Sequence, residues 1–343
     1  MISFTNDYSE GAHPRILELM MKSNLEQNAG YGMDEHSKRA KLYIKKHLER
    51  GDVDIHFIPA GTQTNLLVVS SFLRPHQCVI AADTGHVNVH ETGAIEATGH
   101  KVLTIPGRDG KLTPELIGQL LYAHTDEHMV QPKMVYLSDS TELGTIYSKA
   151  ELSAIHQFCR ENGLLLFLDG ARLGSALTCK SNDLSLKDLP GLVDAFYIGG
   201  TKNGALLGEA LVICKEELKE DFRYLIKQRG AMMAKGFVVG MQFEALFEDR
   251  LFFDLASHAN NMARRIAEAF GKLGYSFYAP CCSNQLFPIL PKDVMERLSE
   301  KFIFQVQAKV DDNHTAVRFV TSWATTESNV DALIEALQQE TTV

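Results

Sequence analysis

The sequence of 343 residues lacks a basic, apolar amino-terminal segment, a long apolar run and any CxxC pair. Residues 1–7 have neither a basic region nor an apolar core, so we expect no signal peptide. No stretch approaches the ~18 apolar residues that a membrane helix needs. The six cysteines are scattered along the chain, which excludes a disulfide framework as the expected scaffold and favours a reducing, cytoplasmic location.

Acidic residues outnumber basic residues, with 43 aspartates and glutamates against 34 lysines and arginines. The formal net charge is −9 at pH 7, and no cluster of lysine and arginine offsets it. We therefore expect no nucleic-acid partner, and without a long apolar run we expect no membrane partner. A hydrophobic content of 45% and a charged content of 22% are ordinary for a globular protein. The length allows one large domain and a smaller one.

Strand-like apolar segments alternate with helix-like segments through the first 240 residues. The strand candidates are residues 55–58, 78–82, 101–105, 134–137, 164–168, 195–198 and 209–214. Amphipathic segments at 113–124 and 148–162 lie between them, and Ser148 with Glu151 forms a capping-box pattern. Near-continuous apolar strands separated by helices predict an α/β fold, with a mostly parallel sheet between two layers of helices.

The pattern changes after about residue 240. A long helical segment at 251–272 precedes three short strand-like pieces and a final helix at 327–338. This texture predicts a smaller α+β domain. We therefore expect an amino-terminal arm and large domain over residues 1–240 and a small carboxy-terminal domain over residues 241–343, without internal repeats.

Two short motifs carry most of the chemical information. Asp169 ends an apolar run and begins the sequence Asp-Gly-Ala-Arg172, and Lys202 follows a later strand candidate and a Gly-Gly turn. These parts suit an enzyme that uses pyridoxal 5′-phosphate (PLP). Lys202 would hold the cofactor as a Schiff base, Asp169 would pair with its pyridine nitrogen, and Arg172 would bind a substrate carboxylate. The alternatives are a helix N-cap for Asp169, an exposed turn position for Lys202 and a surface position for Arg172.

A Gly61-Thr62 turn offers a place for the phosphate. It lies between a strand candidate and an apolar helical run at 66–73, so its N–H groups, hydroxyl and positive helix end could bind an anion. Taken alone, the turn is also typical of a plain helix start. The downstream Lys202 favours the phosphate interpretation.

His86 is a candidate for stacking on the cofactor ring. Its alternatives are a histidine merely hydrogen-bonded in a turn and a metal ligand together with His90 and Glu91. The HExxH spacing of many zinc sites is absent, and no third ligand is evident, so we predict no metal site.

With these parts the sequence resembles the threonine aldolase branch of the β-eliminating lyase family, PLP enzymes of the aspartate-aminotransferase fold type (fold type I). The resemblance covers nearly the whole chain. Residues 169–172 resemble the family's DGAR element, Lys202 its Schiff-base lysine, and residues 60–62 its Ser-Gly-Thr phosphate turn. The resemblance implies that Asp169 binds the pyridine nitrogen and Arg172 the substrate carboxylate. It also implies that Lys202 binds the cofactor covalently and that residues 60–62 bind its phosphate.

Three further stretches extend the resemblance. His86 with Glu91 is similar to the stacking histidine and the glutamate that accompanies it. The Tyr-Gly-Met-Asp stretch beginning at Tyr31 resembles one that helps to build the substrate site across a dimer interface. The strand beginning at Arg318 resembles one whose arginine also reaches the substrate carboxylate. The resemblance thus implies a homodimer or homotetramer.

The departures from the family pattern concern the substrate. Glu142 stands where a loop histidine usually lies near the β-hydroxyl group, and Asn6 stands where the amino-terminal element has a serine. The glycine-rich loop reads differently over residues 229–235, where Arg229 is a candidate phosphate contact. These differences indicate a divergent subgroup.

The resemblance implies retro-aldol cleavage of L-threonine or L-allo-threonine to glycine and acetaldehyde. The candidate base is His86, directly or through a water, or Glu142 with a pKa raised by burial. A β-eliminating lyase with Lys202 as the base and an aminotransferase use nearly the same residues and stay open. A PLP-binding regulatory protein is a further alternative, as is a nucleotide-binding enzyme, although neither GxGxxG nor a Walker A motif follows a strand candidate.

Overall fold

The computed structural model describes residues 1–340. Its strands are β1 (Ile2–Ser3), β2 (Asp54–Ile58), β3 (Gln77–Ala82), β4 (Val102–Ile105), β5 (Gln131–Ser138), β6 (Leu165–Asp169), β7 (Ala195–Gly199), β8 (Glu209–Ile213), β9 (Gln285–Leu286), β10 (Ile289–Pro291), β11 (Phe302–Ile303), β12 (Gln305–Lys309) and β13 (His314–Val320).

Its helices are α1 (Pro14–Lys22), α2 (Glu35–Leu48), α3 (Gly61–Phe72), α4 (His86–Val89), α5 (Pro114–Ala123), α6 (Lys149–Glu161), α7 (Leu173–Thr178), α8 (Phe222–Gln228), α9 (Phe237–Phe247), α10 (Leu251–Lys272), α11 (Lys292–Ser299) and α12 (Glu327–Glu340). Short 3₁₀ helices span Glu96–Thr98, Leu186–Gly191 and Glu216–Leu218.

Within residues 1–340, seven strands form the large sheet in the order β2-β8-β7-β6-β5-β3-β4. Strand β8 runs antiparallel to both of its neighbours, and the other neighbouring pairs are parallel. Both faces of this sheet are buried: alternate residues of β6 belong to two separate apolar clusters, one with Leu166 and Leu168 and the other with Leu165 and Phe167. The prediction of a mostly parallel α/β sheet covered on two faces is confirmed.

A second, small sheet lies in the carboxy-terminal part of the chain. Strands β9, β10 and β12 each pair antiparallel with β13. Helices α10, α11 and α12 pack with this sheet around a third apolar cluster, which also includes Phe4. Strand β1 pairs with β11, so the first residues of the chain pack with its last third. We propose on this basis that the chain divides near residue 240; residues 341–343 of the predicted small domain lie outside the described residues.

The helices begin where local chemistry favours them. Ser148 and Glu151 form the predicted capping box at the start of α6, each side chain bonding the other residue's backbone N–H. Thr113 caps α5, which has Pro114 at its first position. Over residues 1–340, no helix combines the length and the apolar character needed to cross a membrane.

Candidate active site

A cavity of about 890 Å³ opens at the carboxyl ends of the parallel strands of the large sheet. Strand β6 ends at Asp169, β7 leads to the turn with Lys202, and loops after β3 and β5 bring in other side chains. The cavity joins eight of the predicted site residues: Gly61, Thr62, His86, Glu142, Asp169, Arg172, Lys202 and Arg318.

Asp169 lies at the base of the cavity and accepts hydrogen bonds from four donors. Its Oδ2 accepts from the Asn65 amide at 3.0 Å and the Tyr136 hydroxyl at 2.5 Å, and its Oδ1 accepts from the Tyr197 hydroxyl and, at 2.9 Å, from the Ala171 N–H. Burial alone would raise the pKa of Asp169, but the electrostatic attraction of His86 and the bonds from Tyr136, Tyr197 and the Ala171 N–H hold it below its ordinary value. Asp169 is therefore a stable carboxylate.

Lys202 lines the same cavity from the turn after β7. Its pKa is lowered, first by burial and then by the positive charge of Arg172, while Asp7 and Asp169 act in the opposite direction. This environment favours the neutral amine, which is the nucleophilic form of lysine.

Glu209 holds the turn that carries Lys202. Its two oxygens accept from the Gly200 N–H at 2.9 Å and from the Thr201 hydroxyl at 2.8 Å. The Thr201 oxygen in turn accepts from the Gly208 N–H at 3.0 Å. Burial raises the pKa of Glu209 to about 8. The two residues before Lys202 are thus fixed by one buried carboxyl group.

His86 begins the short helix α4 and is half-buried. Its Nδ1 lies 2.8 Å from Oε1 of the buried Glu91, which also accepts from the Asn65 amide at 2.6 Å. Since a carboxylate only accepts, Nδ1 carries the proton and Nε2 is the basic nitrogen. Asn65 bridges Glu91 and Asp169, so the histidine and the aspartate belong to one network.

Glu142 lies in the loop after β5. Its Oε1 accepts from the His86 backbone N–H at 2.9 Å and from the Ser138 hydroxyl at 2.7 Å. Burial raises the pKa of Glu142, and the charge of Asp169 adds to this effect. The structure thus places Glu142 beside His86, with its Oε2 not used by these two bonds.

Arg172 is paired with an aspartate from the amino-terminal arm. Its Nε donates to Asp7 Oδ2 at 2.7 Å and its Nη2 to Asp7 Oδ1 at 3.0 Å, and the Asn284 amide also donates to Asp7 at 2.9 Å. This fork leaves the Nη1 edge of the guanidinium for another anion. The arm is thereby tied to the loop after β6.

Arg318, on β13, reaches the cavity with neutral partners. Its Nη2 and Nη1 donate to the side-chain oxygens of Gln285 at 2.7 Å and Gln305 at 2.8 Å. Burial and the charge of Arg172 lower the pKa of Arg318 to about 10. Two guanidinium groups near one another in a cavity favour a bound carboxylate.

Gly61 and Thr62 form the first turn of α3, which opens on the cavity. No side chain caps this helix, and its first two residues line the cavity, so its first N–H groups remain available to a ligand. A Cβ at Gly61 would lie 3.3 Å from the Tyr197 hydroxyl, so glycine keeps this turn open. The turn can bind a phosphate.

Three predicted site residues do not line the cavity within the described part of the chain: Asn6, Tyr31 and Arg229. The Asn6 side chain accepts from the Tyr8 N–H and the Ser9 hydroxyl. Tyr31 is exposed, with the Lys227 ammonium 5.0 Å from its ring centre. The Arg229 carbonyl accepts from the Gln63 amide at 3.2 Å, which places its segment near the first turn of α3.

Sequence reasoning missed several residues of the network. Four residues bond predicted residues without being candidates themselves: Asp7, Asn65, Tyr136 and Tyr197. A fifth, Glu209, bonds the two residues before Lys202. The signal that pointed to them was a polar side chain inside an apolar run, as for the tyrosines of β5 and β7. Asp7 directly follows Asn6, the candidate in the amino-terminal element.

Comparison with known proteins links this geometry to one family. A family model described as β-eliminating lyase matches residues 6–289. The low-specificity L-threonine aldolase of Pseudomonas sp. (strain NCIMB 10558) is 32% identical over 336 residues, which are 96% of this chain and 95% of that protein. The enzyme of the same description from Pseudomonas aeruginosa is 33% identical over 333 residues, or 94% of this chain and 93% of that protein.

Solved structures agree with the sequence matches. Threonine aldolase from Leishmania major has a TM-score of 0.98 and 50% identity, and the match covers 99% of both chains. An aromatic aminotransferase from Pyrococcus horikoshii OT3 has a TM-score of 0.73 at 14% identity, covering 99% of this chain and 95% of that chain. The second likeness is one of fold alone.

Proposed function

The chain belongs to the β-eliminating lyase family, and from this premise we propose that it is a PLP-dependent lyase acting on β-hydroxy-α-amino acids. It cleaves L-threonine or L-allo-threonine to glycine and acetaldehyde by a retro-aldol reaction. The observation that carries the proposal is one cavity in which a stable carboxylate, Asp169, and a lysine with a lowered pKa, Lys202, lie with two arginines.

The residues of the cavity fit PLP. Asp169 would hold the pyridine nitrogen, Lys202 would bind the aldehyde carbon, and the open first turn at Gly61 and Thr62 would hold the phosphate. When bound, PLP supplies an electron sink that stabilises negative charge at the α-carbon of an amino acid. The low pKa of Asp169 supports this role, because a carboxylate keeps the pyridine nitrogen protonated.

Arg172 and Arg318 would orient the substrate by its carboxylate. The Nη1 edge of Arg172 is left free by Asp7, and Arg172 and Arg318 are the guanidinium groups that line the cavity within the described residues. A carboxylate held between two planar groups has little rotational freedom. This grip sets which bond of the α-carbon is aligned for cleavage.

His86 would act as the base on the β-hydroxyl group. Glu91 fixes the proton on Nδ1, so Nε2 is the nitrogen that can accept the hydroxyl proton, directly or through a water. Loss of this proton converts the C–O bond to a carbonyl as the Cα–Cβ bond breaks. Acetaldehyde leaves, and the α-carbon takes up a proton to give glycine.

Glu142 would assist His86. Burial raises the pKa of Glu142, which makes it a stronger proton acceptor than an ordinary carboxylate, and its Oε1 also holds the His86 backbone N–H. We propose that Glu142 replaces the loop histidine that stands at this place in typical relatives, as a second group for the β-hydroxyl proton.

The complete site requires a second chain in this proposal. Tyr31 and Arg229 lie outside their own cavity, and we propose that they reach the cavity of a partner subunit, with Arg229 on the phosphate. Asn6 would contact substrate after a change in its local bonds. All six cysteines are free thiols, which supports a reducing compartment such as the cytoplasm.

A product assay tests the reaction. The PLP-loaded protein is given L-threonine or L-allo-threonine, and acetaldehyde is measured with a coupled reductase while glycine is measured separately. We expect equal amounts of both products, and none with Lys202→Ala. Ammonia and a keto acid in their place would indicate β-elimination, and turnover that needs an added keto acid would indicate transamination.

A further inference from the structure

A second, smaller cavity lies where α2, β2 and α8 approach the segments around Tyr31 and Met232. Each of the three elements contributes one basic side chain to its wall: Lys41, His56 and Arg223. Within residues 1–340, no aspartate or glutamate lines this cavity. In a chain with a net charge of −9, this is a local excess of positive charge.

His56 is the most buried of the three, with 9% of its surface exposed. Its Nε2 has no hydrogen-bond partner within the described chain. Burial, followed by the charges of Lys41 and Arg223, lowers the pKa of His56 to about 3. His56 is therefore a neutral imidazole with an unused polar nitrogen, which is costly to bury without a partner.

The positive charge of Arg223 disfavours the charged form of Lys41. The pKa of Lys41 is lowered, first by burial and then by the charge of Arg223, and the attraction of Asp54 and Asp34 does not restore it. Arg223 uses one N–H on the Tyr31 carbonyl at 3.2 Å. Two cations and a buried imidazole thus line a cavity whose wall, among the described residues, includes no aspartate or glutamate.

We propose that this cavity binds a small monovalent anion, with chloride as the representative ligand. The cavity volume of about 30 Å³ is about twice the ~10–15 Å³ that an ordered water needs, which suits a small anion better than a phosphate. The anion accepts from the Lys41 ammonium, the Arg223 guanidinium and the Nε2–H tautomer of His56. The site is separate from the large cavity and does not depend on the proposed activity.

The anion has a structural consequence for two surface segments. Tyr31, Gly32, Met232 and Gly236 complete the cavity wall, and the Tyr31 N–H already bonds the Ala234 carbonyl at 3.0 Å. An anion that neutralises the wall removes the repulsion between α2 and α8 behind these segments. Binding therefore stabilises their packing.

Bromide is the probe that locates the site. Crystals of the full-length holoenzyme are soaked in bromide, and anomalous scattering is measured at the bromine edge. We expect an anomalous peak within hydrogen-bond distance of Lys41 Nζ and an Arg223 nitrogen. An empty cavity, or a carboxylate from a second copy of the chain on these cations, would overturn the proposal.

Thermal unfolding tests the same site in solution. Chloride replaces gluconate at constant ionic strength, and we expect a saturable rise of a few degrees in Tm. The rise in Tm should vanish in Lys41→Met and in Arg223→Gln. If one of these variants does not fold, the other still tests the site. Lys38→Met is the matched control, since Lys38 is an exposed residue of the same helix that pairs with Glu35. An equal chloride effect in all variants would contradict the site.

Discussion

Arg172 and Arg318 reach the same cavity but have partners of opposite character. Arg172 is paired with the carboxylate of Asp7, whereas Arg318 bonds the neutral amides of Gln285 and Gln305. Burial and Arg172 lower the pKa of Arg318 to about 10. We therefore propose that the two residues contribute differently: Arg318 would supply most of the uncompensated charge for a substrate carboxylate, and Arg172 would supply a fixed geometry.

The variant Arg172→Lys tests this division. A lysine retains the charge but cannot make a fork on Asp7 and a second contact on substrate, so charge-assisted bonds are lost. We expect KM for threonine to rise on the order of tenfold to a hundredfold, with PLP retained. The control is Arg264→Lys, which changes an exposed pair with Glu268. Loss of PLP absorbance in Arg172→Lys would show that Arg172 serves the cofactor.

We expect Glu209 to affect the reaction through the turn before Lys202. Glu209→Gln keeps the size of the side chain but loses one of the two acceptors for the Gly200 N–H and the Thr201 hydroxyl. We expect kcat to fall about tenfold, the effect of one misplaced hydrogen bond, with KM nearly unchanged because the arginines stay intact. The pH profile of kcat should also shift, because the carboxyl group beside Lys202 no longer titrates. The control, Thr201→Ser, keeps the hydroxyl, and a purely structural loss would lower stability without shifting the profile.

The loop between β5 and α6 carries the main departure from the family pattern at this site. It carries Glu142 and is anchored by the buried Asp139, whose Oδ1 accepts from the Tyr147 N–H at 3.4 Å. Burial raises the pKa of Asp139 from 3.8 to about 8. Asp139 is therefore protonated in the folded chain at a pH at which the unfolded chain has lost that proton.

This shift predicts a pH dependence of stability. Because the folded state binds the proton more tightly, the contribution of Asp139 is full below about pH 4 and is lost as the pH rises towards 8. Asp139→Asn keeps the acceptor for Tyr147 but cannot titrate. We expect the free energy of unfolding of the parent, relative to that of the variant, to fall by at least about 1 kcal/mol between about pH 5 and about pH 8. Urea denaturation at both pH values measures this, and parallel curves would contradict it.

Several elements follow from local patterns. The helix expected at 251–272 is α10 (Leu251–Lys272), and the capping box at Ser148 is present. Both were predictable because amphipathic periodicity and helix capping depend on residues close together in the sequence. The strand before Lys202 was likewise found from its apolar run. The Asp7–Arg172 pair was not predictable, since its partners are 165 residues apart and only the folded sheet brings them together.

At the scale of the whole molecule, two of the predicted site residues lie on the surface of the chain. Tyr31 and Arg229 are exposed and lie away from their own cavity. Exposed apolar side chains such as Met21 and Leu25 also lie on the surface of the amino-terminal region. These observations support the proposed homodimer, in which each chain completes the other's site.

Mixing two inactive variants tests the shared site. Lys202→Ala removes the proposed cofactor lysine, and Arg229→Ala removes the proposed phosphate contact. If Arg229 acts across the interface, half of the randomly reassembled dimers have one intact site, and about a quarter of the parent activity returns. Each variant mixed with itself is the control. Activity that stays at the level of the separate variants would place Arg229 in its own chain's site or in none.

Chemical trapping tests the central claim most directly. The holoenzyme is reduced with borohydride, which fixes PLP irreversibly to the amine that holds it, and the digested peptides are analysed by mass spectrometry. We predict a single pyridoxyl modification on Lys202. An excess of threonine, added before the borohydride, should prevent this modification. A modification on another lysine, or none in a protein that still releases acetaldehyde, would contradict it.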